Sequence, residues 1–241
     1  MFIACNRDND DENSKVQLLK SITTYHDGIW SVNFEYDDKD RITTIFSDEI
    51  DVRVIFTYNG DDLVKVMGYV GTMDFSKNGN KITVLWNEEV IVIELNSDEY
   101  PIKASWENGV GGFHYFNKNG TSIYQYLDDN VSSVSFDGEQ SVMGSNVKSI
   151  TQKYKYDNKK SPFYNCKTPK WFPIHFCISS WWWHGFYGVK NNVTEFTYTS
   201  IEEDTGDIPT STYTYTYEYD NNGFATKMFE KGVLTATFTY Y

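Results

Sequence analysis

Ser211-Thr212-Tyr213-Thr214-Tyr215-Thr216-Tyr217-Glu218-Tyr219 decides the fold class. Its four tyrosines fall on every second residue, so in an extended chain they share one face and the threonines and Glu218 take the other. A helix, at about 3.6 residues per turn, would scatter them around its circumference. Working outward, the same alternation recurs in Trp30, Val32, Phe34 and Tyr36, in Val52, Val54, Phe56 and Tyr58, and in Ile82, Val84 and Trp86. Aromatic residues make up 17% of the 241, a share that suits strands.

Between these runs lie polar clusters of one recurring shape: Tyr36 to Ile42, Phe75 to Ile82, Phe116 to Ile123 and Tyr219 to Phe224, with a shorter version at Tyr58 to Leu63. Each passes from an aromatic through Asp, Asn or Lys to Gly or Asp and back into a strand. Gly, Asn and Asp tolerate positive φ, so such clusters close tight hairpins, with the aromatic expected to pack on the strand that follows. The resulting expectation is an all-β fold, a curved antiparallel meander of consecutive hairpins forming an open sheet or partly closed barrel. One domain spans residues 15–241, interrupted by a short helix or loop insert at about 161–188.

These clusters resemble the YD repeats of bacterial surface proteins, in which an aromatic, an Asp and a downstream Gly shape a hairpin. Together with Tyr156-Asp157-Asn158-Lys159-Lys160 and Lys190-Asn191-Asn192-Val193-Thr194, they resemble an uncharacterised domain family of Bacteroidetes surface lipoproteins. At the start, Ile3-Ala4-Cys5 resembles the end of a lipobox, and the acidic run Asp8 to Glu12 resembles an export tag to the outer face of the outer membrane. These likenesses imply an acidic tether over residues 1–14, lipid attachment at Cys5 and a place at the cell surface or outer membrane. That placement requires a signal peptide ahead of Met1, since a signal needs an apolar region of about 7–15 residues.

The net charge of −13, with no run among the 21 basic residues, argues against nucleic acid and anionic membranes as partners. No apolar stretch approaches the roughly 20 residues a transmembrane helix needs.

The insert breaks the hairpin pattern, with ten aromatics and three prolines in the 28 residues from Ser161 to Gly188. Pro162, Pro169 and Pro173 argue against a central strand, and a helix from Pro173 to about Trp183 is expected because proline is tolerated in a first turn. The segment either plugs the β scaffold or displays an aromatic platform, since Trp is enriched at binding hot spots. Trp181, Trp182 and Trp183 are adjacent, so they cannot all face one way. Cys166 and Cys177 are spaced for a disulfide across the insert in an oxidising compartment, the alternative being two free thiols. With His175 and His184 the spacing does not match a structural zinc site, and no metal or cofactor is expected.

His26 and His114 each stand beside a glycine-containing turn, and no nucleophile elbow, zinc-protease, P-loop or dinucleotide motif occurs. The leading expectation is therefore a non-enzymatic surface module that binds a glycan or surface protein through Trp171, Trp181, Trp182, Trp183, Tyr213, Tyr215 and Tyr217. A structural component whose aromatics are all core is the alternative. A glycoside hydrolase is the third, since paired carboxylates are a three-dimensional property.

Overall fold

In a computed structural model, which describes residues 16–25, 28–49, 51–68, 71–86, 89–107, 116–141, 147–176, 190–202 and 210–241, the alternating runs become sixteen antiparallel strands. They are β1 (Leu19–Thr24), β2 (Trp30–Tyr36), β3 (Ile42–Ser47), β4 (Val52–Asn59), β5 (Asp62–Gly68), β6 (Gly71–Asn78), β7 (Lys81–Trp86) and β8 (Glu89–Leu95). There follow β9 (Pro101–Glu107), β10 (Phe116–Leu127), β11 (Asn130–Ser141), β12 (Val147–Lys160), β13 (Asn191–Glu202), β14 (Thr210–Tyr219), β15 (Ala225–Glu230) and β16 (Val233–Tyr240). Each strand pairs with the next, and β1 pairs with β16 through Ile22↔Phe238 and Thr24↔Ala236. The sheet therefore closes into a barrel with no free edge.

Closure gives the period-two pattern an inside and an outside. Phe34, Phe56, Val84, Ile93, Phe136 and Phe238 are among the buried inward residues. Most outward positions carry Ser, Thr, Lys, Asp or Glu, with Ile55, Met67, Leu85, Val90, Ile123 and Ile201 exposed among them, and ion pairs stand directly opposed at Lys65–Asp74 (3.0 Å), Lys81–Glu94 (3.8 Å), Lys155–Glu195 (2.9 Å) and Lys227–Glu218 (2.7 Å). A barrel wall that faces lipid has the reverse arrangement, apolar outside and polar within. No helix among the described residues is long and apolar enough to cross a membrane.

Seven hairpin connections fall at one rim, and they show what the repeated sequence clusters do. At Asp37, Asn96 and Asp220 a side-chain oxygen accepts from the backbone N–H groups two and four residues on, at 2.9–3.0 Å. The fourth residue of each of these turns takes positive φ: Asp40 (62°), Glu99 (63°) and Gly223 (82°). Two-residue loops at Gly60-Asp61, Gly79-Asn80 and Asp128-Asp129 make three more connections. The seventh holds the insert.

Six of these hairpins share a second device. The ladder register shifts at Tyr36, Tyr58, Leu95, Tyr126, Tyr156 and Tyr219, just before the turn, because the strand after the turn carries one extra, bulged residue: Thr43, Val64, Ile102, Ser132, Thr194 and Thr226 respectively. The residue before the bulge turns its carbonyl to a tyrosine of the next unit. Tyr58 donates to the Ile42 carbonyl (2.9 Å), Tyr126 to Pro101 (2.6 Å), Tyr156 to Val131 (2.7 Å), Tyr217 to Val193 (2.7 Å) and Tyr240 to Ala225 (2.5 Å). Ile42, Pro101, Val131, Val193 and Ala225 are the partners of Tyr36, Leu95, Tyr126, Tyr156 and Tyr219 respectively. Each hydroxyl thus ties its unit to the strand before it, while Tyr58, Tyr126 and Tyr156 pair with Leu63, Val131 and Val193 of the strand that follows.

The cluster at Phe116 to Ile123 is not a turn. It lies within β10, where Asn119 (φ 32°) sits at a register shift. A Cβ at Gly120 would meet the Trp106 ring at 2.0 Å, so glycine there makes room for an indole. Lys190 to Thr194 likewise leads directly into β13.

Candidate functional site

The insert leaves β12 at the tyrosine rim and turns back into the barrel. Backbone bonds from Tyr164 to Ser161 (3.1 Å) and from Cys166 to Phe163 (3.0 Å) form its first turns. Three contacts then hold it to the rim: Lys167 N–H to the Asp40 carbonyl (2.9 Å), Thr168 Oγ1 accepting from Ile42 N–H (2.9 Å), and Asn165 Nδ2 to the Gln17 carbonyl (2.9 Å). The helix α1 follows, Trp171–Phe176, starting two residues earlier than expected, with Pro173 still in its first turn.

This segment lies inside the barrel, because its rings meet inward side chains of widely separated strands. Phe163 packs edge-on to Phe34 of β2 (5.4 Å between centroids), Phe172 to Phe56 of β4 (5.2 Å) and Trp171 to Phe75 of β6 (5.2 Å). His175 Nδ1 lies 2.6 Å from the Tyr124 hydroxyl of β10. The insert therefore plugs the barrel over its described part, one of the two roles the sequence allowed.

Where the plug passes the rim it leaves a cavity of about 300 Å³. Phe56, Phe172 and Ile174 line its depth, and Tyr100, Asp129, Tyr164, Lys167, Lys170 and Lys190 bring polar or aromatic groups to it. Lys170 Nζ donates to the buried Tyr100 hydroxyl (2.7 Å) and lies 4.6 Å from that ring's centroid. Lys190 Nζ reaches Asp129 Oδ2 at 3.1 Å, and that carboxylate raises the lysine's pKa. Tyr164 is 42% exposed, with Lys160 Nζ 5.6 Å from its ring centroid.

Cys166 also lines the cavity, half-buried beside Thr168. Burial pushes its thiol pKa up against the hydrogen bonds that lower it, so the group is held as a thiol, the unreactive form. Asp129 is the one carboxylate among the lining residues.

The residues expected to bind ligand divide into three groups. Trp171 is 3% exposed and part of the plug's packing, which leaves it no face for a ligand. Tyr213, Tyr215 and Tyr217 point inward: Tyr213 stacks on Phe196 (5.8 Å), and Tyr217 is spent on the Val193 carbonyl. Trp181, Trp182, Trp183, Cys177 and Cys5 lie outside the described residues, as do His26, His114 and His184. The lysines and Tyr164 were missed, although Lys167 and Lys170 are conspicuous as charges inside an aromatic insert.

No protein-family profile and no curated protein matches the sequence. Among solved structures it is similar to a porin-like protein from Bacteroides uniformis, at 13% identity over 92% of this chain and 98% of that one, with a TM-score of 0.40. A likeness of that size carries no argument about what this chain does.

Proposed function

We propose that this barrel is a non-enzymatic module that binds a glycan at its plugged mouth. The cavity beside Tyr164 carries this reading: it is at the small end of ligand pockets, has an apolar floor, and presents a half-open aromatic ring with converging hydrogen-bond donors. An exposed tyrosine offers a flat apolar face for a sugar ring and a hydroxyl for its edge. The wall supports it as a scaffold, since its inward face is committed to packing.

The test is a glycan array probed with the wild-type protein and with Tyr164→Ala. Binding by the wild type that the variant loses, at unchanged thermal midpoint, is the expected result. Loss of stability without any glycan signal would favour the second reading, a purely structural barrel. That alternative draws support from the burial of Trp171 and the tying of tyrosine hydroxyls around the rim.

The cell-surface placement belongs to the same proposal, with Cys5 as the lipid carrier. It is supported by Ile3-Ala4-Cys5 and the acidic residues after it. In cells making the full-length gene product, a clickable fatty acid should label the protein and Cys5→Ser should abolish the label; equal labelling of both would sink the anchor.

A further inference from the structure

The cavity at the barrel mouth is lined by more cations than carboxylates, although the rim turns around it are rich in aspartate. The chain carries −13 net, yet Lys160 at the end of β12, Lys167 and Lys170 in the insert, and Lys190 just before β13 all border one cavity or the Tyr164 ring beside it. Elsewhere on the wall, lysines such as Lys65, Lys155 and Lys227 stand opposite carboxylates. At the rim Lys39 pairs with Asp61 and Lys77 with Glu99, whereas of the four lysines at the cavity Lys190 alone does so among the described residues, through Asp129 at 3.1 Å. Among the described residues no carboxylate lies within ion-pair distance of Lys160, Lys167 or Lys170, and Lys170 is oriented by a neutral phenol, Tyr100.

Lys167 and Lys170 line the cavity without a carboxylate of their own among the described residues, so an anion entering it is attracted without first displacing an ion-pair partner from them. The low-dielectric floor of Phe56, Phe172 and Ile174 strengthens the attraction. A neutral sugar would gain hydrogen bonds from these groups but would not account for their sign. Resting on the glycan-binding reading above, we infer that the ligand is an acidic saccharide, its carboxylate or sulfate held by Lys167 and Lys170 while a ring stacks on Tyr164.

The experiment titrates the full chain with trigalacturonate, with its neutral methyl ester and with a sulfated galactose trisaccharide, by calorimetry at low and moderate salt. At least one acid should bind more than about tenfold tighter than the ester, as expected when a charge-assisted hydrogen bond is lost, and the preference should shrink as salt rises. Which acid wins distinguishes carboxylate from sulfate. Lys167→Gln with Lys170→Gln should weaken the acid by about tenfold or more; Lys167→Glu alone, at an exposed position, should do so without touching the Tyr100 contact.

Ester binding as tight as the acids, still lost in Tyr164→Ala, would overturn the acidic ligand and leave the glycan site standing. Acid binding undiminished in both lysine variants would overturn the site. Binding of none of the three would count against both.

Discussion

Along β14, Tyr213, Tyr215 and Tyr217 point into the barrel, while the alternating Thr212, Thr214 and Thr216 are exposed on the outer face. The same division runs round the wall. Inside, side chains touch the plug or tie down a carbonyl, so each has a fixed neighbour and a change of one atom is felt. Outside, they meet solvent, or an opposite charge that water screens. A wall built this way stores its stability on one face and leaves the other to solvent.

The sharpest way to break the comparison is to empty the inner face. Trp171→Ala removes a buried indole packed on Phe75 and Phe172, and should cost roughly 3–5 kcal/mol in urea unfolding. A loss under about 1 kcal/mol would mean the plug is not part of the core. Gly120→Ala acts in the opposite sense, by overfilling: the added Cβ meets the Trp106 ring, and a loss of roughly 1–3 kcal/mol is expected. Unchanged stability there would place Trp106 elsewhere.

The tyrosine rim is the next level. Tyr156→Phe deletes one hydroxyl and strands the Val131 carbonyl, so about 1 kcal/mol should be lost, with Tyr217→Phe similar. The rim also sets a pH dependence. Burial pushes the Tyr58 hydroxyl up to about 12, and burial together with neighbouring tyrosines raises Tyr126 and Tyr217 further. Unfolded tyrosines ionise near pH ~10 while these stay protonated in the fold, so the unfolded state binds fewer protons there. Stability present below about pH 10 should therefore fall as pH rises through the folded values. A flat profile from pH 9 to 11 in denaturant titrations would contradict the buried rim.

Acid works on the turns instead. Burial tends to raise Asp37, but the Arg41 hydrogen bonds and the turn's own N–H groups outweigh it, and the carboxyl titrates below its usual range. Asp220 is lowered against burial in the same way, by Gln17 and its turn amides. Their contribution is present above the unfolded carboxylate range and lost as pH falls through the folded values. Asp37→Asn should flatten the acid limb of the stability curve. The smallest effect belongs to the outer face: Lys155→Ala breaks an ion pair whose lysine is exposed, and less than about 0.5 kcal/mol should change.

Alternation made the strands legible because it is local. Closure was legible only as one of two options, open sheet or partly closed barrel, since β1 and β16 meet across some 200 residues and nothing in Leu19 to Thr24 names Phe238 as partner. Turn chemistry was legible in part. Asp220 to Phe224 announced itself by glycine, but Asn96 to Tyr100 puts Glu99 at positive φ, and Asp128-Asp129 uses two aspartates with φ of 51° and 66°. Conversely, Asn119-Gly120 looked like a turn because a bulge and a close backbone approach call for the same residues. The mouth was hidden because Lys167, Lys170 and Lys190 converge only after the insert folds inward; Trp171, the more obvious binding residue by type, is consumed by that same folding.

Native-state hydrogen exchange tests the plugged barrel most directly. The amides of Phe172 and Ile174, bonded to Pro169 (3.0 Å) and Lys170 (3.2 Å), lie within the core and should exchange as slowly as those of Val84 and Ile91 in the wall. Exchange of Phe172 and Ile174 at unprotected rates, with the wall still protected, would mean that the insert opens independently and that the mouth cavity has no fixed wall.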